Sequence, residues 1–322
     1  MGVANIDYIR SKYVDAYELD YDLPYDDISV CTPLYNSTKF LKEYLSYVLA
    51  YDWPRDKTSL MFTVQGDDKT YDYMKSFSKK YGDEYRRIKV QRVKQLSGEL
   101  PHVKNVVLCR KLLTKWSRPD KYVFFNDHDN FNPPVSIKRL RLALEYGADG
   151  AGGVYVFFGK NQWEPEGHIG FTAFFLNGEH MHHYSINTTG NVGNIPVEML
   201  GRMLWVDAVA MGAFLVKREV LDNVDFFVPY GSTMTDDTAF CLKAREKGYK
   251  FIADFGLLVK HWGFDMTLRR LNPYIMEIKV DRAKEMQNRR DKMWRDGVYV
   301  HPDTDAGLNN DVKRYIDLDR IK

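Results

Sequence analysis

The sequence has little of what marks several broad protein classes. It holds three cysteines in 322 residues, Cys31, Cys109 and Cys241. They lie far apart with no C-x-x-C pair, which excludes a disulfide scaffold and a zinc-finger module. Each sits in an apolar stretch and reads as a reduced core thiol. Charge of one sign is also missing: 46 Lys plus Arg against 44 Asp plus Glu leaves +2, too little to create a strong field for a polyanion, and nucleic acid is not implied. No stretch reaches the ~20 apolar residues of a membrane span, and residues 1–27 lack the apolar run of a signal peptide. The expectation is a cytoplasmic protein with no transmembrane segment. Repeats and low-complexity segments are absent too.

What is present is a globular balance of 44% apolar and 28% charged residues, enough for one large α/β domain with appendages. A strand–turn–helix pattern begins at Ile28. Ile28, Val30 and Cys31 run into Thr32 and Pro33, and Phe40, Leu41, Tyr44, Leu45, Val48 and Leu49 then recur at helical spacing. A second apolar run, Leu60 to Val64, closes on Gly66, Asp67 and Asp68, and a helix is predicted over 71–81. A third strand over 88–93 precedes a helix over 103–116, and a fourth, Tyr122 to Phe125, runs directly into Asn126, Asp127, His128 and Asp129. Such alternation predicts a parallel sheet with helices on both faces and ligands beyond the carboxyl ends of the strands. Asp67, Asp68, Asp127 and Asp129 all fall at such ends.

The second half reads as mixed. Paired strands are predicted over 150–158 and 170–176, followed by a long, irregular and mobile stretch over 177–204. His180, His182 and His183 in that stretch read as solvated imidazoles. An amphipathic helix over 238–247 is headed by Thr235, Asp236 and Asp237, residue types that cap orphan backbone donors. A strand over 251–259 leads to His261 and Trp262. Beyond Asp265 basic and acidic residues interleave, which predicts a solvated helix laced with ion pairs and leaves peripheral membrane contact as the minority reading.

The central chemical signal is Asp127, His128, Asp129 at the exit of an apolar strand. Two carboxylates at i and i+2 on a tight turn can reach one hard divalent cation that also holds phosphate oxygens. A solvated acidic turn is the competing reading for so short a motif. The order of elements decides between them: β/α units precede the motif, and a further acidic pair and a histidine follow it at strand ends.

In that order of motifs, from Ile28 to about Phe264, the chain resembles a GT-A glycosyltransferase of the broad family 2 type. The resemblance implies a Rossmann-like mixed, mostly parallel sheet flanked by helices. It also implies three regions: an N-terminal extension (1–27), the glycosyltransferase domain (28–264) and a helical C-terminal extension (265–322). The implied activity moves a sugar, most simply a hexose, from a UDP- or GDP-linked donor to an acceptor hydroxyl of a carbohydrate, lipid-linked or protein substrate, with Mn2+ or Mg2+. Residue by residue, it assigns the nucleotide to Thr32, Pro33, Tyr35, Asp127 and either Asp67 or Asp68, and the metal to Asp127, Asp129 and His261. Asp236 and Asp237 stand where the family has its Glu-Asp pair, with Asp237 as candidate base. Asn105 and Lys104 answer weakly to the family's asparagine and its neighbour, a plain surface helix being the simpler reading, and Met211, Gly212 and Ala213 to its small-residue segment beside the acceptor.

Two rival readings remain. A sugar nucleotidyltransferase needs a glycine-rich phosphate loop after the first strand, and Thr32 to Lys39 contains no glycine. A noncatalytic carbohydrate-binding protein on the same fold would bind no nucleotide with metal.

Overall fold

The computed structural model describes residues 23–66, 68–97, 101–161, 164–177, 180–186, 203–227, 235–261 and 315–316. The alternating first half folds as its periodicity predicts: β1 (Ile28–Tyr35), α1 (Leu41–Leu49), β2 (Thr58–Gln65), α2 (Thr70–Tyr81), β3 (Arg87–Arg92), α3 (Pro101–Trp116) and β4 (Tyr122–Phe125). β1 lies parallel between β2 and β4, with Ile28 opposite both Thr58 and Tyr122. Every residue of β2 is buried, which is why it reads as a continuous run rather than an alternation. β3 closes this edge of the sheet, and its half-exposed Arg87 and Lys89 and exposed Arg92 make it a poor template for further pairing.

The second half adds α4 (Ser136–Glu145), β6 (Gly150–Val154), β10 (Met203–Val206), β12 (Phe214–Lys217), α5 (Arg218–Asn223), α6 (Asp236–Glu246), β13 (Phe251–Leu258) and the short β15 (Tyr315–Ile316). The main sheet runs β15-β10-β13-β6-β12-β4-β1-β2-β3. Only β12 and β10 oppose the common direction, so the sheet is mixed and mostly parallel. Strand alternation divides the core in two. Val30, Phe62 and Phe124 pack under α1, α2 and α4, while Cys31, Met61 and Phe125 pack under α3, α5 and α6. Cys31, Cys109 and Cys241 are buried and unpaired.

A smaller sheet holds β7 (Val156–Asn161), β8 (Glu164–Asn177) and β11 (Ala208–Val209), with β9 (His180–Ile186) on β8. This corrects two expectations. The chain over 150–158 is not one strand, because it leaves the main sheet at Tyr155. His180, His182 and His183 lie on a strand paired with β8, not in an irregular loop, and exposed His183 packs against Phe174. The histidine-rich segment alternates with bulky residues and finds a partner strand that local pattern could not reveal. The remainder of the expected loop, most of the C-terminal extension and residues 1–22 lie outside the described residues. Among the described residues, no helix is long and apolar enough to cross a membrane.

Candidate active site

The ends of β1 and β4 are locked before they present any chemistry. Asn126 donates its backbone N–H to the Cys31 carbonyl (3.1 Å), and Asn130 closes the turn onto the Asp127 carbonyl (3.0 Å). Beneath it the buried Asn126 side chain donates to the Tyr51 hydroxyl (2.6 Å) and accepts from Asn132 (2.7 Å), which also donates to the Gly212 carbonyl (3.1 Å). His128 bonds the Pro33 carbonyl through Nδ1 (2.8 Å) and stacks on Phe40 at 5.0 Å. Burial holds its pKa below the ordinary value, and the carbonyl, which can only accept, makes Nδ1 the donor. Only Gly fits at Gly212, because a Cβ there would stand 2.4 Å from Asn130 Nδ2. This brings the turn before β12 hard against the acidic turn.

Above these strand ends opens a cleft of about 820 Å³ into which Asp127, Asp129, Asp236 and Asp237 face. Two short strands place the histidine beside it. β5 (Asn130–Phe131) pairs with β14 (Lys260–His261), setting His261 opposite Asn130. His261 Nε2 lies 3.5 Å from Asp129 Oδ2, and its ring stacks on Tyr155 at 5.3 Å. The bulge that sends β13 toward this point, between Asp254 and Leu258, is fixed by a buried bidentate pair. Arg139 donates to both Asp254 oxygens (2.5 and 2.7 Å), and Gly256 N–H donates to the same carboxylate (2.9 Å).

The other carboxylates gather around a cation that the sequence reading missed. Arg110, on the buried face of α3, donates from Nη1 to Asp236 (2.5 Å) and from Nη2 to Asp127 (3.2 Å). Asp237 accepts from Thr238 N–H (2.8 Å) and the Thr235 hydroxyl on one oxygen and from Met211 N–H (3.4 Å) on the other. Burial drives Asp127 up to about 7; Arg110 pulls it down, while Asp129, Asp236 and Asp237 push it up. Asp236 is raised as well, chiefly by burial. At Asp129 burial also acts upward, but the hydrogen bond with His261 and the nearby imidazoles outweigh it and hold the group low. Four carboxylates thus gather around one guanidinium, and burial together with their mutual repulsion raises two of them. Among the described residues no three His, Cys, Asp or Glu side chains converge as a closed metal cage. Asp129 and His261 form an open pair, which suits a cation that completes its shell with water and phosphate oxygens.

Pro33, Tyr35, Asp127, Asp129, Asp236 and Asp237 line the cleft, and His261 stands behind Asp129. Two expected nucleotide residues do not face it. Thr32 is fully buried with its hydroxyl 2.5 Å from that of Tyr44. Asp68 is consumed as a brace: its oxygens accept from Thr38 N–H (3.0 Å), Thr38 Oγ1 (2.7 Å) and Thr70 N–H (2.9 Å). Burial would raise its pKa, but these bonds win and hold it at about 2. Asp67 lies outside the described residues. Capping of α6 falls to one residue of the three: the Thr235 side chain makes no cap, its hydroxyl being donated to Asp237, and Asp236 is held by Arg110, while Asp237 takes the orphan Thr238 N–H. Asn105 is not a surface residue. It is buried, accepts from Gln65 (2.9 Å) and Leu96 N–H (2.8 Å), donates to the Leu96 carbonyl (3.0 Å), and thereby builds the cleft wall. The sequence did hold a signal for Arg110: it is a charged residue four after Val106 and three before Leu113, on the face that α3 buries.

No family model and no curated protein matches the chain. Solved structures do. GalNAc-T7 with UDP, GalNAc and Mn2+ aligns at TM-score 0.50 with 12% identity, over 81% of this chain and 49% of that one. Mannosyltransferase PcManGT from Pyrobaculum calidifontis, in complex with GDP-Man and Mn2+, aligns at 0.48 with 14% identity, over 79% and 63%. S. aureus TarS 1-349 in complex with UDP aligns at 0.45 with 17% identity, over 72% and 59%. The chain thus spans between about half and two thirds of these proteins. The fold is a GT-A type α/β sheet, mixed and mostly parallel, flanked by helices.

Proposed function

We propose that the protein is a glycosyltransferase that moves a sugar from a UDP- or GDP-linked donor to an acceptor hydroxyl with the help of Mn2+ or Mg2+. The observation that carries this reading is the Asp129–His261 pair at the mouth of a cleft holding three further carboxylates. A cluster of carboxylates at strand ends calls for a cationic ligand, and a cation that also holds a diphosphate satisfies it. The GT-A fold agrees, and the GalNAc-T7 structure of that fold holds UDP, GalNAc and Mn2+.

Asp129 and His261 would hold the ion, with Asp127 beside them toward the ribose. Once bound, the ion supplies a Lewis acid for the charge that develops on the departing diphosphate. Pro33 and Tyr35 would border the nucleotide. In an inverting transfer Asp237 accepts the proton of the acceptor hydroxyl. The hydroxyl oxygen then bonds to the anomeric carbon as the carbon–oxygen bond to phosphate breaks, and that electron pair leaves on the diphosphate. The hydrogen bonds from Met211, Thr235 and Thr238 hold Asp237 in place for this.

Calorimetry with UDP and with GDP, each with and without Mn2+, tests the reading. We expect a metal-dependent heat for at least one nucleotide; silence in all four titrations would sink it. Asp237→Ala should keep that binding while transfer drops on the order of 10²–10⁴-fold. Loss of nucleotide binding in this variant would remove Asp237 from the acceptor side.

A further inference from the structure

Arg110 has no part in the transfer as just described, yet at 3% exposure it is more buried than either carboxylate it holds. Its two η nitrogens reach across the fold, one to the turn after β4 and one to the first residue of α6. The guanidinium lies 5.9 Å from the centre of the Phe226 ring, a fully buried side chain. Its Nε, also buried, has no hydrogen-bond acceptor among the described residues. An arginine placed in this way is fixed by its fork: each terminal nitrogen meets one carboxylate, at a spacing that a lysine ammonium cannot reproduce.

We propose that Arg110 is the permanent cation of the site. It takes Asp127 and Asp236 as its counter-ions, leaves the divalent ion to Asp129 and His261, and leaves Asp237 as the carboxylate open to the acceptor. The donor half and the acceptor half of the cleft are thus joined by a protein charge before any ligand arrives. This rests on the transferase reading for the identity of the ion, but the geometry of the arginine stands without it. One consequence is that Arg110 and a divalent ion compete for the same pair of carboxylates. Removing the arginine should create a stronger metal site, not a weaker one.

The test is Mn2+ titration of the full chain, followed by thermal melting and by calorimetry, first with the ion alone and then with UDP or GDP. Arg110→Met should melt lower than wild type without metal. It should then bind Mn2+ on the order of tenfold more tightly, because two carboxylates have lost their counter-charge. Arg110→Lys, which keeps the charge but not the fork, should bind Mn2+ with an affinity between wild type and Arg110→Met. Mn2+ binding by Arg110→Met that equals or falls below wild type overturns the proposal. If Arg110→Met does not fold, Asp236→Asn decides: unchanged Mn2+ affinity supports the division of ligands, and a tenfold loss would make Asp236 a ligand of the ion and refute it. Failure of the transferase reading looks different, as wild type would show no response to nucleotide with Mn2+ while the comparison of variants with Mn2+ alone stays readable.

Discussion

The two ends of the main sheet both bury carboxylates, and they settle the charge in opposite ways. At the amino ends of β1 and β4, Asp120 is fully buried and accepts from the Ser29 hydroxyl and Arg86, with Arg87 3.7 Å away. Asp26 there meets Lys121 and Arg141, and Asp27 meets Lys57 and Arg86. At the carboxyl ends, Asp127, Asp129, Asp236 and Asp237 share one arginine and the imidazole of His261. The lower end is electrically complete and serves the fold. The upper end leaves charge for a ligand to balance, which is the mark of a functional site.

That contrast can be broken by substitution at each end. Asp129→Ala should reduce both transfer and donor hydrolysis on the order of 10³-fold, with a melting temperature close to wild type, since the side chain is 36% exposed. Retained hydrolysis with an unchanged Mn2+ requirement would move the ion elsewhere. Asp120→Ala should do the reverse, costing about 1–3 kcal/mol of stability by leaving the buried Ser29 hydroxyl without its acceptor and the part-exposed Arg86 without its partner, while metal-dependent nucleotide binding survives in the folded fraction. Denaturant melts paired with calorimetry read both quantities.

The smallest effect is a pH dependence. Asp68 is held at about 2 from an ordinary 3.8, so its hydrogen bonds stabilise the folded state at pH above the ordinary value, and that contribution disappears as pH falls through the lowered one. Asp68→Asn should therefore melt below wild type by a constant margin above about pH 5, with the gap closing toward pH 2. A gap that widens on acidification would show that Asp68 is not the brace its geometry indicates.

The β/α units were legible because periodicity is local. The apolar run of β2 and the helical spacing of α1 each report their own burial. The acidic turn was legible for the same reason, since Asp127 and Asp129 follow the strand that positions them. Thr32 and Asp68 misled because a residue at a strand end can face inward or brace its own loop, and the choice depends on Tyr44 and Thr38 across the turn. β9 was missed because a strand is recognised by its partner as much as by its own sequence. Asn105 was read as a surface residue for want of knowing that Gln65 and Leu96 stand beside it.

By itself the sequence determined the succession of strands and helices in the first half, their parallel alternation, and the acidic character of their carboxyl ends; the mixed class of the whole sheet it offered only through the family resemblance. The first three follow from side-chain burial at short range. Tertiary structure alone decided that His261 meets Asp129, through the pairing of β5 with β14, and that Arg110 stands between Asp127 and Asp236. A hydrogen bond between residues 126 positions apart depends on helix orientation and strand register, which no local pattern records.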